Sequence, residues 1–167
     1  MTQIDKALKT GRRLTRNAAS AATTALSGGE MLQASGDVIA ARLEIMAAGM
    51  ADPRRVDLTE MALMSSEKVE ALSASAAAMG KSFGAIGGRL HAGAVTEAGL
   101  ASRAASAVAA AASPAAAMQA QYDYAVGWWS RAAGHMLTLN TELLKGQAAA
   151  LRPIHATAVA NAKRLKK

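Results

Sequence analysis

Val69-Glu-Ala-Leu72-Ser-Ala-Ser-Ala76-Ala-Ala-Met79-Gly-Lys-Ser-Phe83-Gly-Ala-Ile86-Gly-Gly-Arg-Leu90 decides the fold class. Val69, Leu72, Ala76, Met79, Phe83, Ile86 and Leu90 recur at steps of three and four, which places them on one face of an α-helix. The positions flanking this stripe (Ser73, Ser75, Gly80, Ser82, Gly87, Arg89) carry hardly a charge, whereas a two-stranded coiled coil would place Glu and Lys there. A helix that is weakly apolar all round is usually buried, in an oligomer or against an apolar surface. Gly80, Gly84, Gly87 and Gly88 each cost about 1 kcal/mol relative to Ala in a helix, so a bend is expected between 80 and 93.

The same period recurs on both sides. Upstream, Leu32, Gly36, Ile39, Leu43, Met46 and Met50 form one stripe, closed by Gly49 and Asp52-Pro53 because the residue before proline is biased away from the helical region. Asp57-Leu-Thr-Glu60 has the form of a capping box that opens the next helix. Downstream, an Ala-rich segment from Val95 to Ala112 ends at Ser113-Pro114, a good N-cap and first helical position. The helix beyond it has the longest repeat: Tyr122, Ala125, Trp129, Ala132, Met136, Leu139, Leu143, Gly146 and Ala150, closed by Pro153. No run alternates as a strand would. The expected fold is all-α: long amphipathic helices forming a helical bundle or coiled-coil-like oligomer, with basic flexible ends. Breaks are expected near 28–29, 52–56, 113–114 and 152–153. They divide the chain into a basic, flexible or weakly helical lead (1–29), an amphipathic helical domain (30–152) and a basic C-terminal tail (153–167).

Composition supports this. Of 167 residues, 51% are apolar, yet about a quarter are Ala and only five are aromatic. Alanine has the best helix propensity but little area to bury, so the balance favours long, thin helices over a thick core. The net charge of +7 is gathered at the ends: Lys6, Lys9, Arg12, Arg13 and Arg16 in the first seventeen residues, and Arg152, Lys163, Arg164, Lys166 and Lys167 in the last sixteen. Such ends suit weak contacts with nucleic acid or anionic lipid, and solubility alone accounts for them equally well. The Arg12-Arg13 pair lacks the apolar core and cleavage site of an export signal, and no run is apolar enough to span a bilayer.

Candidate chemistry is sparse. The absence of Cys removes disulfides and thiol catalysis. His91, His135 and His155 lack the helical spacing of metal ligands, and Gly84-Ala-Ile-Gly87-Gly88 matches no phosphate-binding loop. Neither catalytic residues, a metal nor a cofactor is expected. The nine Met suit an adaptable apolar surface or equally a core filler. More informative is the crowding of Tyr122, Tyr124, Trp128 and Trp129 into eight residues. Adjacent tryptophans point about 100° apart and cannot share one seam, so one is expected at the edge of the apolar face. The surface-binding candidates are Tyr122, Trp128, Trp129, Met136, Leu139 and Leu143, with a packing knot inside a bundle as the alternative.

Three stretches carry a family resemblance. Val38-Ile-Ala-Ala-Arg-Leu-Glu-Ile-Met-Ala-Ala-Gly-Met-Ala-Asp52-Pro53, Ser66-Glu-Lys-Val-Glu-Ala-Leu-Ser-Ala-Ser75 and Leu151-Arg-Pro-Ile-His-Ala-Thr-Ala-Val-Ala-Asn-Ala-Lys-Arg-Leu165 resemble the phasins, helical coat proteins of bacterial polyhydroxyalkanoate granules. The resemblance covers about a third of the chain. It implies a cytoplasmic, non-enzymatic protein at the storage-granule surface that adsorbs to polyester, limits granule coalescence and self-associates as a homo-oligomer. It implies no catalytic residue. The alternatives are a basic helical nucleic-acid-associated protein, whose footprint here would be +7 at the ends with few interleaved aromatics, and a structural coiled-coil partner protein, which leaves the uncharged flanks unexplained. A lipid-surface binder is physically close to the granule reading.

Overall fold

Proline chemistry sets the interruptions of the helical chain. The computed structural model describes residues 3–55 and 58–166, and the side chains of most of them. It contains α1 (Gln3–Ala51), a single 3-10 turn (Pro53–Arg55), α2 (Leu58–Ala109) and α3 (Pro114–Leu165), with no strand among the described residues. The chain is all-α, as expected. Between α1 and the turn, Asp52 still donates its N–H to the Ala48 carbonyl, while its carboxylate accepts the Arg54 N–H at 3.0 Å. Between α2 and α3, the Ser113 hydroxyl accepts the Ala116 N–H at 3.2 Å and Pro114 takes the first helical position, the expected N-cap. The Asp57 half of the expected capping box lies outside the described residues.

The breaks expected at 28–29 and 152–153 do not occur. α1 runs unbroken through Gly28-Gly29, so the described part of the 1–29 lead is helix continuous with residues 30–51. Neither glycine has a positive φ, and a Cβ added to either would meet nothing within 4 Å. Their cost is one of propensity alone, about 1 kcal/mol each, which the long flanking helix absorbs. α2 likewise passes through Gly80–Gly93 and joins the two segments expected to be separate helices. α3 continues through Pro153 to Leu165, which makes the basic tail helical. Proline removes the N–H that would bond the Ala149 carbonyl, typically at a cost of about 3 kcal/mol. Beside that gap the Ser75 hydroxyl of α2 donates to the Ala150 carbonyl at 2.8 Å, and the turns after Pro153 are held by side-chain packing.

The chain divides into two compact units: Met1–Lys81 with Leu144–Lys167, and Ser82–Leu143. In the first, α1 meets residues 58–81 of α2 and 144–165 of α3 through small side chains. Ala34, Val38 and Ala162 form the buried core, with Ala158, Val159 and Leu165 packed against it; Val38 is only 7% exposed. Ala71 and Ser75 line the α2 side. A charge network crosses the three helices. Buried Glu60 accepts hydrogen bonds from Arg42 at 3.4 Å and from Arg164, while Arg164 also reaches Glu67 at 3.2 Å and Asn161 at 3.1 Å. Lys166–Asp37 at 2.7 Å and His155–Glu30 at 3.0 Å tie α3 to α1 nearer the surface.

The second unit is a helical hairpin. Its half-buried positions include Ile86, Gly93, Glu97, Leu100, Ala104 and Val108 on α2, and Ala117, Ala120, Tyr124, Gly127, Arg131 and Thr138 on α3. They recur at steps of three, four and seven, as a helix–helix seam requires. Arg131 joins the helices with a two-pronged pair to Glu97, Nε to Oε2 and Nη2 to Oε1, both 2.8 Å. Its guanidinium also lies 5.5 Å from the Tyr124 ring centroid. Arg89 adds a pair to Glu142 at 3.1 Å. A Cβ on Gly127 would stand 2.7 Å from Arg131 Nη1, so the small residue gives the guanidinium room to lie flat along α3.

Candidate apolar docking surface

In the first unit the buried positions are mostly small or polar, in the second Ile86, Leu100, Val108 and Tyr124 join Ala, Gly and an ion pair at the seam, and in both many large apolar side chains stay outside. In the first unit the α1 stripe of Leu32, Ile39, Leu43, Met46 and Met50 is exposed, and so are Val69, Leu72 and Met79 of α2. The buried positions lie on the other side of α1, at Ala34 and Val38. The heptad stripes are therefore helical faces, as expected; most of their large members are exposed, with Ile86 and Leu139 half-buried within the chain. Met46, Met50, Met79, Met118 and Met136 all reach solvent, so none of these five fills a core within the chain. A groove of about 280 Å³ between the three helices of this unit is flanked by Ile39, Leu72 and Ile154.

In the second unit all six sequence-derived candidates sit on α3, where they divide into two sets. Tyr122, Trp129 and Met136 fall within about 40° of each other at 100° per residue, on the face turned away from the seam. Trp129 is 70% exposed, and Tyr122 and Met136 are comparable. Trp128 and Leu139 lie on the flank, where they line a half-open groove of about 250 Å³ with Ala94, Leu90, Ala132 and His135. Leu143, 49% exposed, stands between the two sets in helical angle. The two indoles touch edge to face, with centroids 4.9 Å apart and planes at 78°. Trp128 is 40% exposed and Trp129 much more so, consistent with adjacent tryptophans being unable to share one seam.

Sequence reasoning missed Met118 and the neighbours of Leu90. Met118 is exposed four residues before Tyr122 in the same register, and the repeat extended backwards would have included it. Leu90 belongs to α2, and only the hairpin brings it beside Trp128 and Leu139. The surface is thus built from both helices.

Charge surrounds the groove in an ordered way. Glu97 accepts from Arg131 through both carboxylate oxygens, and the Arg131 guanidinium holds its carboxyl below the usual carboxylate range, against the opposing effect of burial. The hydrogen bond to Glu97 pushes the Tyr124 phenol up, and burial adds to this. The same pairing raises Arg131. The His135 ring lies against Gly93, where an added Cβ would stand 3.2 Å from Cε1.

The basic ends differ from one another. On α1, Lys9, Arg12 and Arg16 are exposed and share a sector of about 60° at 100° per residue. At the other end, Arg164 and Lys166 are engaged in ion pairs to Glu60 and Asp37. Among the described residues, no group of three His, Asp or Glu is placed to hold a metal ion, and no helix is long and apolar enough to cross a membrane. A scan against protein-family models, and comparisons with curated proteins and with solved structures, each find no match to this chain.

Proposed function

We propose that this chain is a non-enzymatic granule-coat protein. It adsorbs through its amphipathic helices to polyhydroxyalkanoate storage granules in the cytoplasm and limits their coalescence. The observation that carries the reading is the uneven use of side chains: the buried hydrophobics are Ala and Val and ion pairs cross the helices, while Leu32, Ile39, Leu72, Phe83, Trp129 and Met136 are exposed. Contiguous apolar surface on a water-exposed protein marks an interaction site. A polyester granule is an apolar body of unlimited area, and each large side chain laid fully on it contributes roughly 1.5–3 kcal/mol, less where burial is partial. Several tethered helices add avidity. The choice of polyester over other apolar partners rests on the phasin-like stretches at 38–53, 66–75 and 151–165. Away from the granule the same faces are covered by other copies of the chain.

Partitioning decides the matter. Purified protein mixed with isolated polyester granules and with phospholipid vesicles of equal area should collect on the granules, and the association should survive moderate salt. Preference for the vesicles overturns the reading. A second reading, polyanion binding, is favoured by the exposed Lys9, Arg12 and Arg16 face. Collapse of granule binding at moderate salt would move the function to that face.

A further inference from the structure

We infer that the groove beside Trp128 seats a short segment of the polyester chain itself and holds an ester carbonyl through the His135 ring. The inference rests on the granule-coat reading and gives that surface a specific element. The groove measures about 250 Å³ and is open on one side. Pockets that enclose drug-sized ligands run to roughly 300–1,000 Å³. A cleft that is both smaller and open suits a length of chain that enters and leaves, and the exposed stripe of Trp129 and Met136 continues past it on the same helix.

The polarity of the lining selects among chains. Leu90, Trp128 and Leu139 offer apolar wall. The one carboxylate lining the groove, Glu97, is engaged by Arg131 through both oxygens. His135 makes no hydrogen bond among the described residues, and Arg89 commits one nitrogen to Glu142 and keeps further N–H groups. The groove therefore offers donors while its acidic acceptor is occupied. An aliphatic polyester is the complement: apolar methylenes interrupted by carbonyl acceptors, with no donors along its length. A hydrocarbon chain leaves the donors unused, and a peptide brings as many N–H donors as carbonyl acceptors to a lining whose carboxylate is already engaged.

The test uses the full chain with Trp129→Phe, which makes Trp128 the sole indole. The probes are a short, water-soluble oligo(3-hydroxybutyrate) methyl ester and an alkyl ether amphiphile of equal length without carbonyls. The oligoester should move Trp128 emission to the blue and shift the His135 ring nitrogen resonances, at lower concentration than the ether. His135→Phe keeps an aromatic ring and removes the donor, so it should weaken oligoester binding by about five- to tenfold, the worth of one hydrogen bond, and leave the ether unchanged. Arg89→Gln, at an exposed position, supplies a second variant if His135→Phe disturbs the hairpin. Equal binding of ester and ether, silence of Trp128, or an oligoester affinity indifferent to both substitutions overturns the inference. Adsorption of the same samples to polyester beads separates the two levels. Beads coated while Trp128 ignores the oligoester would remove the groove and leave the coat function standing. Bare beads with a responsive, His135-dependent groove would do the reverse.

Discussion

Replacing Trp129 and Leu143 together with Ser removes the centre of the outward stripe of α3, and its consequence can be worked from exposure. Burying a large apolar side chain from full exposure contributes roughly 1.5–3 kcal/mol. Trp129, 70% exposed, has about 2 kcal/mol still to gain on a surface, and Leu143, 49% exposed, about 1 kcal/mol. The pair should therefore lower the partition coefficient onto polyester by about a hundredfold, at roughly 1.4 kcal/mol per factor of ten. The fold should barely notice, because neither residue occupies the hairpin seam and the propensity changes amount to a few tenths of a kcal/mol. The assay is a binding isotherm on polyester nanoparticles for wild type and double mutant, with far-ultraviolet circular dichroism on the same samples. Trp128→Ser alone should lose less, since that indole is already largely covered by the groove. Unchanged adsorption by a double mutant of normal helicity would refute the assignment. It would transfer binding to the Leu32–Met50 or Val69–Leu90 stripe, or leave this face to contacts between copies.

Four further outcomes rest on the geometry. Gly28→Ala and Gly29→Ala should each raise stability by about 0.5–1 kcal/mol in urea titrations, because both sites are helical, open and free of positive φ. Glu60→Ala should cost about 2–4 kcal/mol in the same titration, since it leaves Arg42 and Arg164 without their buried partner. The folded state lowers the Glu97 pKa, so this group contributes stability above the ordinary carboxylate range and loses it as pH falls through the depressed folded-state value. Acid melting curves should show that loss in wild type and lack it in Glu97→Gln. Changing Lys9, Arg12 and Arg16 together to Gln should weaken binding to duplex DNA and anionic vesicles, flatten the salt dependence and spare granule adsorption; this is a cleaner probe of the basic ends than removing Lys163–Lys167, which would break the Arg164–Glu60 and Lys166–Asp37 pairs.

The parts of the fold legible in the sequence are those fixed by local chemistry. Three- and four-residue spacing identified the helices, and Asp52-Pro53 and Ser113-Pro114 identified two real interruptions because proline acts on its immediate neighbours. Gly28-Gly29 and Pro153 misled for the complementary reason: their local cost is outweighed by a long helix in one case and by packing of residues 154–165 in the other, and neither offset is local. The face each helix turns inward was less legible still. An Ala-rich seam leaves no contrast in a sequence where Ala is everywhere, so the stripes of Leu, Met and Phe stand out while Ala34, Ala71 and Ala162 are the buried positions. The pairs that lock the seams are Glu97–Arg131, 34 residues apart, and Glu60–Arg164, 104 apart; no spacing rule reaches so far. Of the candidate surface, the aromatic cluster was visible and the placement of Leu90 beside Trp128 was not.

The separation of seam from stripe bears on how a helical chain with outward apolar faces could bind a surface without opening. A soluble helix that uses one set of large side chains both for its own core and for adsorption must open before it can bind, and the opening subtracts from affinity. Here the two tasks fall to different residues. Small side chains let the backbones approach closely, and the two-pronged Glu97–Arg131 pair and the Glu60–Arg164 network fix register, so cohesion does not draw on the outward Leu, Met and Trp. Those side chains can exchange water, another copy or an apolar body without disturbing the seams. The cost of the arrangement appears when nothing covers them, because a chain whose buried hydrophobics are chiefly alanines has little reserve of core burial. A partner that covers the outer face of the folded chain should therefore add resistance to unfolding as it binds.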